Sequence, residues 1–260
     1  LTLVPDVLDR AVAWMAVDSP EVALTSLRAM EAASGDAIES FELIPDSSLR
    51  LVLQHIPGTR APLEGHAPWH VLVEYVRSSP GATAPAEALE PLLAAELEAG
   101  RIRDAAIGAS EAQAEAFWKI RESISEAERT HGPAMQHDIS VPVDDMPRFI
   151  ADASAEVERA FPGVWVNAYG HLGDGNLHYN VFPPKGEKPA RYQAKAQAVQ
   201  DLVHSMVMDR GGSFSAEHGI GRLKVADLER FGDPAKLAAM RAIKAALDPY
   251  GIMNPGAVLR

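Results

Sequence analysis

The feature that most constrains this chain is a cadence. Segments with strand character alternate with segments of helical periodicity, and the order β-α-β runs through roughly twice in 260 residues. Arg10–Val17 (RAVAWMAV) reads as a strand, and Ser19 then opens a helix with Pro20 and Glu21 in its first turn. That start combines an N-cap, a proline at the first helical position and an early acid. Ala37–Leu43 is strand-like, Asp46–His55 a short helix, and Pro68–Arg77 the clearest strand of the first half. Helix is expected over Thr83–Gly100, a weak strand over Arg101–Gly108 and a second helix over Glu111–Arg129. Met135–Val141 alternates, Asp144–Ala160 is helical, and strands follow at Val164–Tyr169 and Asn176–Phe182. A turn at Pro183 and Pro184 leads to a long helix, about Pro189–Arg210, and a mostly helical tail over Leu223–Leu247. No period-2 run stands out as apolar on both faces. That favours an α+β fold, a mixed and mainly antiparallel sheet covered by helices, over a doubly wound one. The doubled cadence suits two ferredoxin-like units sharing one sheet. Gly211 and Gly212 mark the one internal boundary, dividing residues 1–212 from a loop and helical tail over 213–260.

Bulk properties remove several functions. Lys+Arg 24 against Asp+Glu 36 gives a formal charge of -12 without a basic cluster, so no nucleic-acid footprint is present. Absence of cysteine excludes disulfides, thiolate metal sites and cysteine nucleophiles, and leaves the redox compartment open. No apolar run approaches the ~20 residues of a membrane span, and no signal peptide opens the chain. G-x-G-x-x-G, phosphate-loop and G-x-S-x-G motifs are all missing.

Chemistry concentrates in Tyr169–Asn180 (YGHLGDGNLHYN). Asp-Gly is the favoured centre of a two-residue type I′ hairpin. A turn at Asp174 and Gly175 would set Gly173 opposite Asn176, Leu172 opposite Leu177 and His171 opposite His178, with Tyr169 and Asn180 on the same face. Two imidazoles so placed can share a divalent metal, or form a plain packed pair; a metal site needs at least one more ligand. Asp174 itself reads as a turn former. Gly211–Arg222 (GGSFSAEHGIGR) offers the third ligand in Glu217, beside His218, among glycines that allow close backbone approach. Adjacent side chains diverge, so Glu217 can face a metal while His218 faces a neighbouring substrate. A capping glutamate in a glycine-rich surface loop is the simpler alternative. In Phe117–Ser125 (FWKIRESIS), Phe117, Ile120 and Ile124 form an apolar stripe with Arg121 and Ser125 stacked one turn apart beside it. Arg121 can pair with Glu122 or Glu128, or offer its planar fork to a carboxylate.

His171–Asn180 (HLGDGNLHYN), Ser215–Gly221 (SAEHGIG) and Asp248–Gly256 (DPYGIMNPG), with Phe41–Pro45 (FELIP) and Pro68–Glu74 (PWHVLVE), resemble the C-terminal domain of FAD-linked oxidases of the vanillyl-alcohol oxidase type. That group includes D-lactate, D-2-hydroxyglutarate and glycolate dehydrogenases. The resemblance runs nearly the whole length. It implies that residues 1–212 are a substrate- and metal-binding cap, and that a flavin-binding N-terminal domain is missing, with Leu1–Pro5 as its last strand. It implies His171, His178 and Glu217 as ligands of a divalent metal, zinc or manganese, and His218 as the base that takes the hydroxyl proton. By the same likeness Arg121 holds the substrate carboxylate, Ser125 and Asn180 bind substrate, and Asn254 lies near FAD. Partners implied are a small 2-hydroxy acid, the missing FAD domain and an electron acceptor; a homodimer is compatible, as is a cytoplasmic location with the intact protein peripheral at a membrane. One departure stands out: Gln136 occupies a position where relatives acting on D-2-hydroxyglutarate often carry lysine, which favours a smaller or less acidic substrate unless charge comes from elsewhere, such as Lys119. Two other functions are compatible with the residues, a non-catalytic ligand-binding domain on the same fold and a metallohydrolase.

Overall fold

The computed structural model describes residues 6–35, 37–184, 186–187, 191–192 and 194–260. The expected strand at Leu1–Pro5, and the start of the expected helix at Pro189, lie outside the described residues.

The first half runs β1 (Asp9–Val17), α1 (Pro20–Ser34), β2 (Ile38–Pro45), α2 (Asp46–His55), β3 (Trp69–Arg77), α3 (Pro85–Glu98), β4 (Ile102–Ile107), α4 (Glu111–Glu122) and α5 (Ile124–His131). The second runs β5 (Met135–Ser140), a 3-10 turn at Val143–Asp145, α6 (Met146–Ala160), β6 (Trp165–His171), β7 (Asn176–Phe182), α7 (Ala196–Asp209), α8 (Val225–Phe231) and α9 (Pro234–Leu247). The strands form one seven-stranded sheet in the order β4-β1-β3-β2-β6-β7-β5, and every pairing in it is antiparallel.

This is the doubled ferredoxin-like arrangement. β4-β1-β3-β2 is a complete unit, and β6-β7-β5 repeats its strand neighbours without a fourth strand among the described residues. The fourth place, on the outer edge of β5, carries no strand among the described residues; the segment after Gly212 meets it through a bridge between Ser140 and Ser213 and a hydrogen bond from Ala216 N–H to Asp138 O. The loop carrying Glu217 and His218 therefore begins where a strand would otherwise lie. The two units meet along a short seam, where β2 and β6 pair through Glu42↔His171 and Leu43↔Gly170.

Local sequence explains the elements. Ser19 caps α1, its hydroxyl accepting from the Val22 N–H at 3.3 Å, and Ala23, Leu27 and Met30 bury one face of that helix. Ala11, Ala13, Met15 and Val17 of β1 pack into one core with α1, α3, α6 and α7, while Val12 and Trp14 face a second core beneath α2, α4 and α5. β1 is thus buried on both faces from Ala11 to Val17, contrary to the expectation that no strand would be. Its alanines conceal the pattern, because small residues serve wherever helices approach closely. The expected helix over Glu111–Arg129 is broken at Ser123 into α4 and α5. No helix among the described residues is long and apolar enough to cross a membrane.

Candidate active site

The site lies on the α2/α4/α5 face of the sheet, at the seam. The β6–β7 connection differs from the expected two-residue turn. Four residues, Leu172–Gly175, link the strands, His171 pairs with Asn176, and His178 pairs with Tyr169. Leu172 is the cause: it is fully buried in the core, and its N–H donates to the Phe41 carbonyl at 2.9 Å, so it cannot serve in the ladder. A shift of two positions preserves alternation. Tyr169, His171, His178 and Asn180 therefore still share a face, with the two imidazoles diagonal rather than opposite and their centroids 6.1 Å apart. Gly175 has φ 72°, and a Cβ there would sit 2.1 Å from the Val141 carbonyl oxygen; glycine alone lets the turn settle against β5.

His171, His178 and Glu217 each offer a ligand atom within 4.8 Å of the other two, and His171 Nε2 is 3.5 Å from a Glu217 oxygen. The donor chemistry suits a divalent cation. Burial, then the charge of Arg121, push the His178 imidazole down to about 4, so its lone pair is available at neutral pH. Conversely, the hydrogen bond to Glu42 raises His171 above the ordinary histidine range. A cavity of about 250 Å³ adjoins the trio; Arg121, Ser125, Gln136, Asn180 and His218 are among its lining. The sequence-derived candidates thus converge, with one exception. Asn254 is exposed, at φ 47°, and does not line this cavity; the tail that bears it returns to the loop through Val258 N–H donating to Gly221 O at 2.6 Å.

Three carboxylates organise these groups, of which the sequence pointed only to Glu128, as a partner for Arg121. Arg121 pairs with neither Glu122 nor Glu128. Its Nε donates to Glu42 Oε2 at 2.8 Å, and Glu42 Oε1 lies 2.6 Å from His171 Nδ1. Burial alone would raise the Glu42 carboxyl, but the His171 hydrogen bond and the Arg121 charge outweigh it and hold it below the usual range. Asp138, opposite His178 in the β5–β7 register, accepts the backbone N–H groups of Glu217 and His218 on one oxygen, both at 2.8 Å. Glu128 accepts from Asn167 at 2.8 Å and Asn180 at 2.7 Å; burial pushes it up to about 7. Sequence signals existed for two of them. Glu42 is the one charged residue within the apolar Phe41–Ile44 run, and Glu128 lies four residues after Ile124 on the buried stripe.

A family model described as FAD linked oxidases, C-terminal domain, matches residues 8–258. The chain belongs to the FAD-linked oxidases. D-2-hydroxyglutarate dehydrogenase of Xanthomonas citri pv. viticola is 36% identical over 219 residues, covering 84% of this chain and 45% of that protein. The mitochondrial enzyme of the same name from Arabidopsis thaliana is 35% identical over 226 residues, 86% of this chain and 38% of that one. This FAD-linked oxidase chain therefore spans less than half the length of either relative. Among solved structures, p-cresol methylhydroxylase with substrate bound has a TM-score of 0.62 at 11% identity over 98% of this chain and 54% of that one. Alkyldihydroxyacetonephosphate synthase has 0.56 at 12% identity over 97% of this chain and 45% of that one. At such identities the likeness is one of fold.

Proposed function

We propose that this chain is the substrate and metal side of a flavin-dependent D-2-hydroxyacid dehydrogenase, which oxidises a small 2-hydroxy acid to the 2-oxo acid. What supports this reading above all is the convergence of His171, His178 and Glu217 beside a cavity bordered by Arg121, Asn180 and His218. The names of the relatives supply the reaction class. A bound flavin, held by a flavin-binding half in the same polypeptide or another, supplies the hydride acceptor, and a divalent cation on His171, His178 and Glu217 supplies Lewis acidity toward the substrate hydroxyl.

The chain's own residues do the rest. Arg121 borders the cavity and takes the substrate carboxylate through its guanidinium. Ser125 and Asn180 orient the substrate; Glu128 claims an N–H of Asn180, which leaves the carbonyl of that amide for a donor such as a hydroxyl. His218 accepts the hydroxyl proton on a ring nitrogen. Asn254 is assigned to the flavin side.

Gln136 in the lining favours a monocarboxylate such as D-lactate. The dicarboxylate D-2-hydroxyglutarate is favoured by the relatives' names and by Arg129, whose Nη1 lies 3.4 Å from Ser125 Oγ. Anaerobic flavin reduction by each acid tests both the class and the choice. The expected result is reduction by at least one D-acid, abolished in His218→Ala; no reduction by any 2-hydroxy acid overturns the proposal.

A further inference from the structure

Glu42 carries an inference beyond the assignments above, though it rests on that reading of the site. Its carboxylate is 1% exposed and lies in β2 directly across the seam from His171. Each oxygen is committed to a different functional group, Oε1 to His171 Nδ1 at 2.6 Å and Oε2 to Arg121 Nε at 2.8 Å. Two consequences follow from donor and acceptor chemistry alone. A ring nitrogen against a carboxylate oxygen carries the proton, so the neutral form of His171 is held as the Nδ1–H tautomer, the one whose Nε2 lone pair is free to take a cation. That Nε2 is the atom facing Glu217. Likewise, an arginine whose Nε is engaged, with its guanidinium carbon 5.1 Å from the Tyr169 ring centroid, has its outer edge left over. That edge is the Nη1–Nη2 pair, of which Nη2 makes no hydrogen bond among the described residues, on a residue that borders the cavity.

We propose that Glu42 is a positioning residue that couples the two halves of the site, aiming His171 Nε2 at a divalent cation and the Arg121 Nη edge at the substrate carboxylate. Carboxylates behind metal-binding histidines fix tautomer and ring orientation, and their loss typically costs 10–100-fold in metal affinity. Here the same group also orients the arginine. An amide in its place offers only one good acceptor, so Glu42→Gln cannot satisfy both His171 Nδ1–H and Arg121 Nε–H. One change therefore weakens cation and substrate together.

The first test uses Zn(II) alone, titrated into the chain against a chromophoric chelator at fixed pH. Glu42→Gln is expected to weaken Zn(II) binding ~10–100-fold, while Glu39→Gln, an exposed acid on the same strand, leaves it unchanged. In the flavin-loaded protein Glu42→Gln should also raise KM for the 2-hydroxy acid about tenfold, with Glu42→Asp recovering part of both losses. Should the buried substitution prevent folding, long-range nitrogen–proton NMR of the wild type decides the point, because at a pH where His171 has lost its second proton it must show Nδ1 protonated and Nε2 bare before metal is added. An Nε2–H tautomer, or Zn(II) binding by Glu42→Gln within twofold of wild type, overturns the inference and leaves the proposed function standing. Absence of any Zn(II) binding by the wild type overturns both.

Discussion

Asp138 gives the sharpest mutational test of how the loop bearing Glu217 and His218 is held. One buried carboxylate oxygen accepts both backbone N–H groups at 2.8 Å. Hydrogen bonds to ionised acceptors contribute ~1.5–3 kcal/mol each, which bounds the pair at ~3–6 kcal/mol. Glu217 and His218 are exposed, so water re-solvates their amides when the carboxylate is removed, and the net loss falls to about 2 kcal/mol. At ~1.4 kcal/mol per factor of ten, that is roughly a thirtyfold increase in local opening. Asp138→Ala should therefore speed amide hydrogen exchange at Glu217 and His218 about thirtyfold. Exchange at Ser140 and Ser213, joined by their own backbone bridge, should hardly change. Asp138→Asn should fall between, since its carbonyl can still accept both N–H groups but without charge. Exchange at Glu217 and His218 within twofold of wild type in Asp138→Ala would refute the reasoning. The loop would then be held by Lys224, whose Nζ donates to Phe214 O at 3.2 Å and Ser215 Oγ at 3.0 Å.

Two further outcomes concern stability. Burial raises Glu128 to about 7 from a carboxylate value of 4.5, so between those values the folded chain holds a proton that the unfolded chain has released. That contribution is present at the acid end and lost as pH rises. Glu128→Gln, which cannot ionise, should gain stability relative to wild type between about pH 5 and about pH 8 in urea unfolding, and a flat difference would contradict it. Gly175→Ala should lower stability by at least about 2 kcal/mol, from the left-handed backbone and the collision with Val141 O; an unmoved urea midpoint would contradict that.

The sequence made the fold legible because period and punctuation are local. Ser19, Pro20 and Glu21 announce α1, and Asp-Gly announces the β6–β7 turn. What stayed hidden depends on partners distant in the chain. The hairpin register slipped by two because Leu172 enters a core built partly by β2, and nothing near Leu172 in the sequence says so. His171, His178, Glu217 and His218 were legible as residues rare among glycines and strand alternations. Asp138 was not, since an isolated acid has no pattern of its own, and the local signals at Glu42 and Glu128, an acid inside an apolar run and an acid on a buried stripe, do not reveal their partners. Glu42 reaches Arg121 across 79 positions and His171 across 129, and only folding brings them together.

The incomplete second unit has a consequence for association between chains. A sheet edge offers unpaired N–H and C=O groups to any passing strand. On β5 that edge is covered in part: the Asp138 carbonyl accepts from Ala216 N–H at 3.3 Å, and Ser140 bridges to Ser213. The segment that carries Glu217 and His218 is therefore also a guard against edge-to-edge polymerisation, and substitutions that free it expose a template for aggregation.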